Sequence, residues 1–260
     1  TDKSQYAFNA TYFKQDAVIK YQGYERATIR VNSSTKTLGN RLEVGENFTL
    51  SLDNRKGGYG NDGEQNAVSG AYKHHPLLPN YDIAGNFAGS RGLNLGNNYN
   101  PYATQFRNQD DRARRARMFG NVYAQLTLAE DFKFRSSFGA DVTTRRATNI
   151  GRPQPEYVEG NFINSSSSAQ DWGYEWTFTN TLSWAKVLND VHDISALVGV
   201  EAIEGFAEYF GAGRQRFPFQ TTSIISYLDL GNQGTASNFG NISKDFSLWS
   251  QFLQANYQYN

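Results

Sequence analysis

Apolar and polar residues alternate with a period of two along much of the chain. The clearest run covers 132–144. Phe132, Phe134, Ser136, Phe138, Ala140 and Val142 share one face, and Lys133, Arg135, Ser137, Gly139, Asp141 and Thr143 share the other. Successive side chains of a strand point to opposite faces, so this pattern predicts a strand with one greasy and one charged or small side. Met118, Gly120, Val122, Ala124, Leu126 and Leu128 alternate likewise just before it, across a hairpin-length link. Trp172, Tyr174, Trp176, Phe178, Leu182 and Trp184 form a third apolar face, and Ile194 to Ala202 a fourth, with Leu197 on its polar side. Weaker alternation marks 42–53, where Glu46 is out of place, and 26–32. Strands at 6–13 and 247–259 bring the expected number to about eight.

The links between these strands fall into two classes. Those at 34–40, 129–131 and 187–191 are short, whereas those near 54–116, 145–171 and 208–245 are long and rich in Gly, Asn and Ser. Short and long alternate, although the 14–23 link, on the long side, is brief. In an up-and-down sheet every second connection lies at the same end. Short turns at one end and long loops at the other are the periplasmic and extracellular ends of a transmembrane barrel. The expected fold is therefore all-β, an antiparallel up-and-down transmembrane barrel segment of about eight strands, with the long loops extracellular. Trp172, Tyr174, Trp176 and Trp184 suit interfacial girdles, where a ring has one apolar and one wet side, or else a core aromatic cluster.

Composition sharpens this reading. Aromatics make up 15% of the 260 residues, with 16 Tyr and 18 Phe, which favours strands. No apolar run reaches the length of a transmembrane helix, an absence that leaves barrels untouched. Charge balances at 25 basic and 25 acidic residues, which gives no nucleic-acid footprint. Cysteine is absent, excluding disulfides, thiolate metal sites and cysteine nucleophiles. Residues 1–5 carry no signal peptide pattern.

Candidate chemistry is sparse, and no enzyme, cofactor or metal site is expected. His74 and His75 are adjacent in a long link without a third ligand, and His192 starts a strand. Asp82 and Asn86 carry oxygens suited to calcium, but Asp-x-x-Gly-Asn more simply describes a turn. Arg107, Asp110, Asp111, Arg112, Arg114, Arg115 and Arg117 mix both signs and suit either contact with lipopolysaccharide or a partner, or a solvated loop leading into a strand. Sugar recognition wants stacking aromatics beside planar hydrogen-bonding groups, because a ring face is apolar while its hydroxyls need partners. Tyr81, Asp82, Asn86, Arg91, Asn98 and Tyr99 offer that chemistry in one link, where the same residues could instead fold the loop on itself.

Two stretches resemble a known family. One contains Pro76, Leu77, Leu78, Pro79, Asn80, Tyr81 and Asp82, continues with Gly85, Asn86, Phe87, Ala88 and Gly89, and ends in Asn100, Pro101, Tyr102 and Ala103. The other runs from Phe119, Gly120, Asn121, Val122, Tyr123 and Ala124 to Phe132 and on to Asp141. With Gly23, Tyr24, Glu25 and Arg26, and the terminal 252–259, they resemble SusC/RagA-type TonB-dependent outer-membrane transporters over most of the chain. The resemblance implies a 22-stranded barrel plugged by an N-terminal domain. It also implies TonB-energised import of oligosaccharides or peptides and a SusD-like surface lipoprotein as lid, with outer-membrane lipid around the wall. Residues 1–260 would then be an internal part of the barrel domain, lacking the plug and the remaining strands. Two other readings stay open at this stage. One is a complete small outer-membrane barrel with a structural or adhesive role. The other is a soluble β-sandwich that binds glycans.

Overall fold

The computed structural model describes residues 3–58, 67–92, 94–97, 99–219, 225 and 227–259. All eight expected strands form: β1 (Ser4–Asp16), β2 (Gly23–Thr37), β3 (Leu42–Lys56), β4 (Arg112–Ala129), β5 (Phe132–Gly151), β6 (Ser165–Leu188), β7 (His192–Gln215) and β8 (Ser237–Tyr259). They make a single sheet in strict chain order, every pair antiparallel. The sheet is open, since β1 and β8 do not pair. Among the described residues the eight strands therefore do not close as a small barrel, and no second sheet packs on this one.

The short turns use the conformations their residues permit. Leu38, Gly39 and Asn40 between β2 and β3 all have positive φ, as do Asn189 (52°) and Asp190 (60°) between β6 and β7. Asn and Asp enter the left-handed region at lower cost than most side chains. The register places the β4–β5 turn two residues beyond the β2–β3 turn, and the β6–β7 turn four residues beyond that. A stagger that accumulates in one direction is the shear of a sheet whose strands tilt within a barrel wall.

The strands run further towards the long connections than the apolar alternation predicts. β5 continues to Gly151 and β6 starts at Ser165, so their link is 152–164; the β7–β8 link is 216–236. Added residues such as Ser165, Ser166, Ser167 and Ser168 put polar side chains on both faces and so leave no apolar alternation. Hydrophobic periodicity marks only the part of a strand with an apolar environment.

Burial is distributed as in a wall. The buried apolar residues are mostly in or beside the long connections: Tyr99, Ala103, Ile150, Tyr157, Phe217 and Ile225. Ile150, Phe217 and Ile225 form one small cluster. The apolar face of the sheet stays exposed, with Phe8, Phe48, Met118, Phe138, Phe178 and Leu253 each at least 39% accessible. Exposed apolar side chains lie on this face of all eight strands, interrupted by Glu46 and Glu204, whereas soluble monomers rarely expose contiguous apolar patches above a few hundred Å2. Among the described residues no helix is long and apolar enough to cross a membrane, which says nothing about strands.

Candidate functional site

Pairing puts directly opposed residues on one face, and the two faces differ in chemistry. Phe134, Leu126, Leu182, Val198 and Leu253 share one row of the apolar face. Trp172 and Trp184, twelve residues apart on β6, bracket this face. At ~3.3 Å per residue and the ~40° strand tilt usual in barrels, they would stand about 30 Å apart along a barrel axis, close to the height of an apolar band between aromatic girdles.

The opposite face is a ladder of paired polar groups. Tyr24 Oη donates to Asp53 Oδ1 at 2.7 Å, with Arg26 and Arg115 at 3.5 and 3.9 Å from the same carboxylate. Arg117 grips both oxygens of Asp141, its Nε donating at 2.9 and 3.1 Å. Lys244 pairs with Glu175, and Arg145 with Asp171 at 3.2 Å. Thr179 Oγ1 donates to Glu201 at 2.9 Å and Asn47 Nδ2 to Asn121 at 3.1 Å. A groove of about 490 Å3 runs along this face past Arg30, Asn47, Phe119, Asn121 and Asp141.

Aromatics interrupt the polar alternation here for a packing reason. Tyr123 lies across Gly45, where a Cβ would stand 2.6 Å from its ring. Phe252 lies likewise across Gly199 and Phe246 across Gly205. A ring over a cross-strand glycine covers backbone that a side chain would otherwise shield. Tyr123 also sits under the Arg135 guanidinium at 3.9 Å and donates to Glu43 at 2.9 Å.

At the end with the long connections stands a folded platform. Its 57–111 link carries α1 (Ala67–Lys73), α2 (Pro101–Arg107) and a single 3-10 turn at Asn108–Asp110. Asn100 organises it. Its buried side chain accepts from Tyr102 N and Ala103 N at 3.0 and 3.1 Å, capping α2 ahead of Pro101. It donates to the carbonyls of Asn80 and Ala88 at 2.9 and 2.8 Å. Asn is a favoured cap and Pro a favoured first helical residue, so the Asn100-Pro101-Tyr102-Ala103 stretch is a helix start in physical terms.

Beneath α2 lies a buried ion pair. Arg107 and Glu156 are each less than 10% accessible and meet side by side, with Nη2 2.8 Å from Oε2. Arg152 bonds the Arg107 carbonyl and Asp110. Asp111 Oδ1 accepts from Ile150 N at 2.8 Å, and its carbonyl accepts from Gly57 N at 3.0 Å, fastening the platform to β5. Burial pushes the Asp111 carboxyl up to about 6, outweighing the Ile150 N–H and the Arg152 charge.

Of the six candidate substrate residues, the five that are described take different places in the platform. Tyr81, Asp82 and Asn86 share a turn: Asp82 Oδ1 accepts from Ala84 N and Asn86 N at 2.9 and 2.8 Å, with Gly85 at φ 83°. The Asn86 N–H holds the Asp82 carboxyl below the usual range. With its oxygens occupied by the turn, Asp82 reads as turn chemistry rather than a calcium ligand, and among the described residues no His, Cys, Asp and Glu group suits a metal. Arg91 reaches away, donating to Pro155 O at 2.8 Å and covering Phe162 at 4.4 Å. Tyr99 is buried edge-on against Tyr157. Asn98 lies outside the described residues.

Around Tyr81 the fold assembles a feature that spacing did not reveal. Tyr81 stacks on Phe87 at 5.3 Å, and Tyr102, Phe106 and Tyr21 extend the cluster across two connections, Tyr21 and Tyr102 sharing a hydroxyl contact at 3.1 Å. The histidines are used locally: His74 Nε2 contacts Leu78 O at 3.0 Å, His75 Nδ1 accepts from Leu77 N at 3.2 Å, and His192 stacks on Tyr257. The mixed-charge cluster is not a solvated loop. β4 begins at Arg112, and alternation sends Arg115 and Arg117 to the polar face and Arg114 to the apolar one.

No family model matches the chain. Over its whole length it is 26% identical to TonB-dependent receptor P3 of Formosa agariphila and 24% identical to TonB-dependent receptor P26 of the same organism. It spans about a quarter of each, 26% and 25%. Its fold matches part of a chain of the RagAB peptide importer. In the open-open state the TM-score is 0.76 at 20% identity, covering all of this chain and 28% of that one. In the closed-closed state it is 0.74, covering 99% and 29%. The resemblance to SusC/RagA-type TonB-dependent transporters thus holds over the full chain, in sequence for the receptors and in fold for the importer.

Proposed function

We propose that these residues are part of the wall of an outer-membrane nutrient importer, energised through TonB and capped by a SusD-like lipoprotein. The observation that carries this reading is the division of the molecule by end and by face. Every short turn is at one end, every long connection except the brief 17–22 link is at the other, and one face is apolar between aromatic rows while the other is a polar ladder. On this reading the apolar face seals against lipid. Backbone groups are satisfied by pairing along the sheet, as hydrocarbon requires. The polar face lines the lumen and meets a plug domain, and the platform stands outside the cell.

The segment's part in transport is to shape the path rather than to do chemistry. Its paired carboxylates and guanidiniums give a plug many replaceable hydrogen-bonding partners. The Tyr81 cluster offers flat apolar faces at the mouth, suited to an oligosaccharide or a peptide. The similar solved structures are of a peptide importer, so peptides are the first cargo to test. The test is a strain lacking the full natural chain. Lost uptake of a labelled oligopeptide or oligosaccharide mixture, restored by the gene, supports the reading. Unchanged uptake of both sinks it.

A further inference from the structure

We infer that Arg114 and Arg146 form a binding site for the phosphate of an outer-leaflet glycolipid, with an acyl chain lying in the notch beside them. This rests on the wall reading above. The two arginines are directly opposed across β4 and β5, on the apolar face. Directly opposed like charges destabilise a sheet pair. Elsewhere on the strands the arginines of the cluster have partners: Arg115 lies near Asp53, Arg117 pairs with Asp141, and Arg112 donates to the carbonyls of Gln109 and Asp111. Arg114 and Arg146 have none among the described residues, and both are exposed. An anion seated between them turns the repulsion into two charge-assisted contacts, and guanidinium forks match phosphate oxygens in geometry.

Their height on the wall selects the ligand. One row nearer the membrane centre lie Tyr12, Ala27, Leu52, Ala116, Thr144 and Trp172. The small side chains beside Tyr12 leave a notch of about 440 Å3 whose lining includes Ala27, Leu52, Ala116 and both arginines. An apolar notch inside the girdle with paired cations just beyond it fits a lipid whose phosphate sits at the head-group level. At the loop-bearing end of an outer-membrane barrel, that lipid is the phosphorylated glycolipid of the outer leaflet. The rim is not uniformly basic. On β7 and β8 the same face carries Glu204, Glu208 and Asp245, and on β2 Glu25, 3.7 Å from Lys14, also lines the notch, so attraction for an anion is confined to the β4–β5 side.

The test is native mass spectrometry of the full natural chain in detergent. The probes are an acylated, bisphosphorylated glucosamine disaccharide and its dephosphorylated counterpart, with heat-modifiable migration run in parallel. The wild type is expected to prefer the phosphorylated probe by roughly tenfold or more, the scale of one or two charge-assisted contacts. R114Q/R146Q should lose that preference while keeping the heat shift, and R114K/R146K should retain part of it, since lysine keeps the charge without the fork. Should the double glutamine variant fail to fold, R146Q alone, which also relieves the repulsion, must show the loss. A heat-modifiable R114Q/R146Q variant that keeps the full preference overturns the lipid site and leaves the wall reading standing. A wild type with no heat shift overturns the wall reading itself.

Discussion

The sheet and the platform above it hold together by opposite means. The sheet buries little, exposes one apolar face, and is specified by main-chain pairing in a continuous register from β1 to β8. The platform buries polar and charged side chains, among them Asn100, Thr104, Gln105, Arg107 and Asp111. An element stabilised by backbone pairing and a uniform solvent tolerates many side chains at each position. One stabilised by a few buried polar groups depends on each of them, because an unpaired partner left behind costs more than the bond was worth.

The largest effect should therefore come from the platform. Glu156→Ala leaves the Arg107 guanidinium buried without its carboxylate and should destabilise the platform by about 3–5 kcal/mol. Limited proteolysis should then cut within 67–107 while heat-modifiable migration persists. Loss of both together would mean that platform and wall fold as one unit.

A charge in the wall should cost slightly less and depend on face. Phe138→Arg puts a cation on the apolar face between the girdles, at about 2–4 kcal/mol. Thr177→Arg, on the polar face beside Glu175, should cost under about 1 kcal/mol. Denaturant unfolding of the full natural chain in lipid vesicles measures both, and equal costs would erase the distinction between faces.

Asp111 supplies a pH test. A carboxyl raised to about 6 binds its proton more tightly in the fold than in the unfolded chain, so the platform gains stability as pH falls from about 6 towards 4. Above pH 6 the buried charge opposes folding by about 2–3 kcal/mol. Asp111→Asn keeps an acceptor for Ile150 N without the charge and should flatten this dependence. Hydrogen exchange at the Ile150 amide between pH 4 and 8 reads it, and a platform that weakens on acidification would contradict the assignment.

The difference between the regions also decides what the sequence discloses. Strands were legible because Phe132 to Val142 and Trp172 to Trp184 repeat every second residue, and that repeat is local. Their polar extensions, such as Ser165 to Gln170, were not, since pairing without a buried face leaves no period. The arginine cluster looked like one patch until the strand start at Arg112 assigned its members to different faces. On the platform, the Asp82 turn was visible in five residues. The Arg107–Glu156 pair and the Tyr21–Tyr102 contact join residues 49 and 81 positions apart, and no spacing rule reaches that far. Tyr99 and Arg91 have the chemistry of a binding site but are occupied in holding the platform together.

The central claim is that one face of this sheet meets lipid and the other a watery lumen. The chain has no cysteine, so single cysteines placed in turn at 134–142 on β5, in otherwise cysteine-free full-length protein in outer membranes, test it directly. Positions 134, 136, 138, 140 and 142 should resist a water-soluble maleimide and quench with a lipid-confined probe. Positions 135, 137, 139 and 141 should do the reverse. Labelling without a two-residue period, or water access at both sets, would contradict the wall.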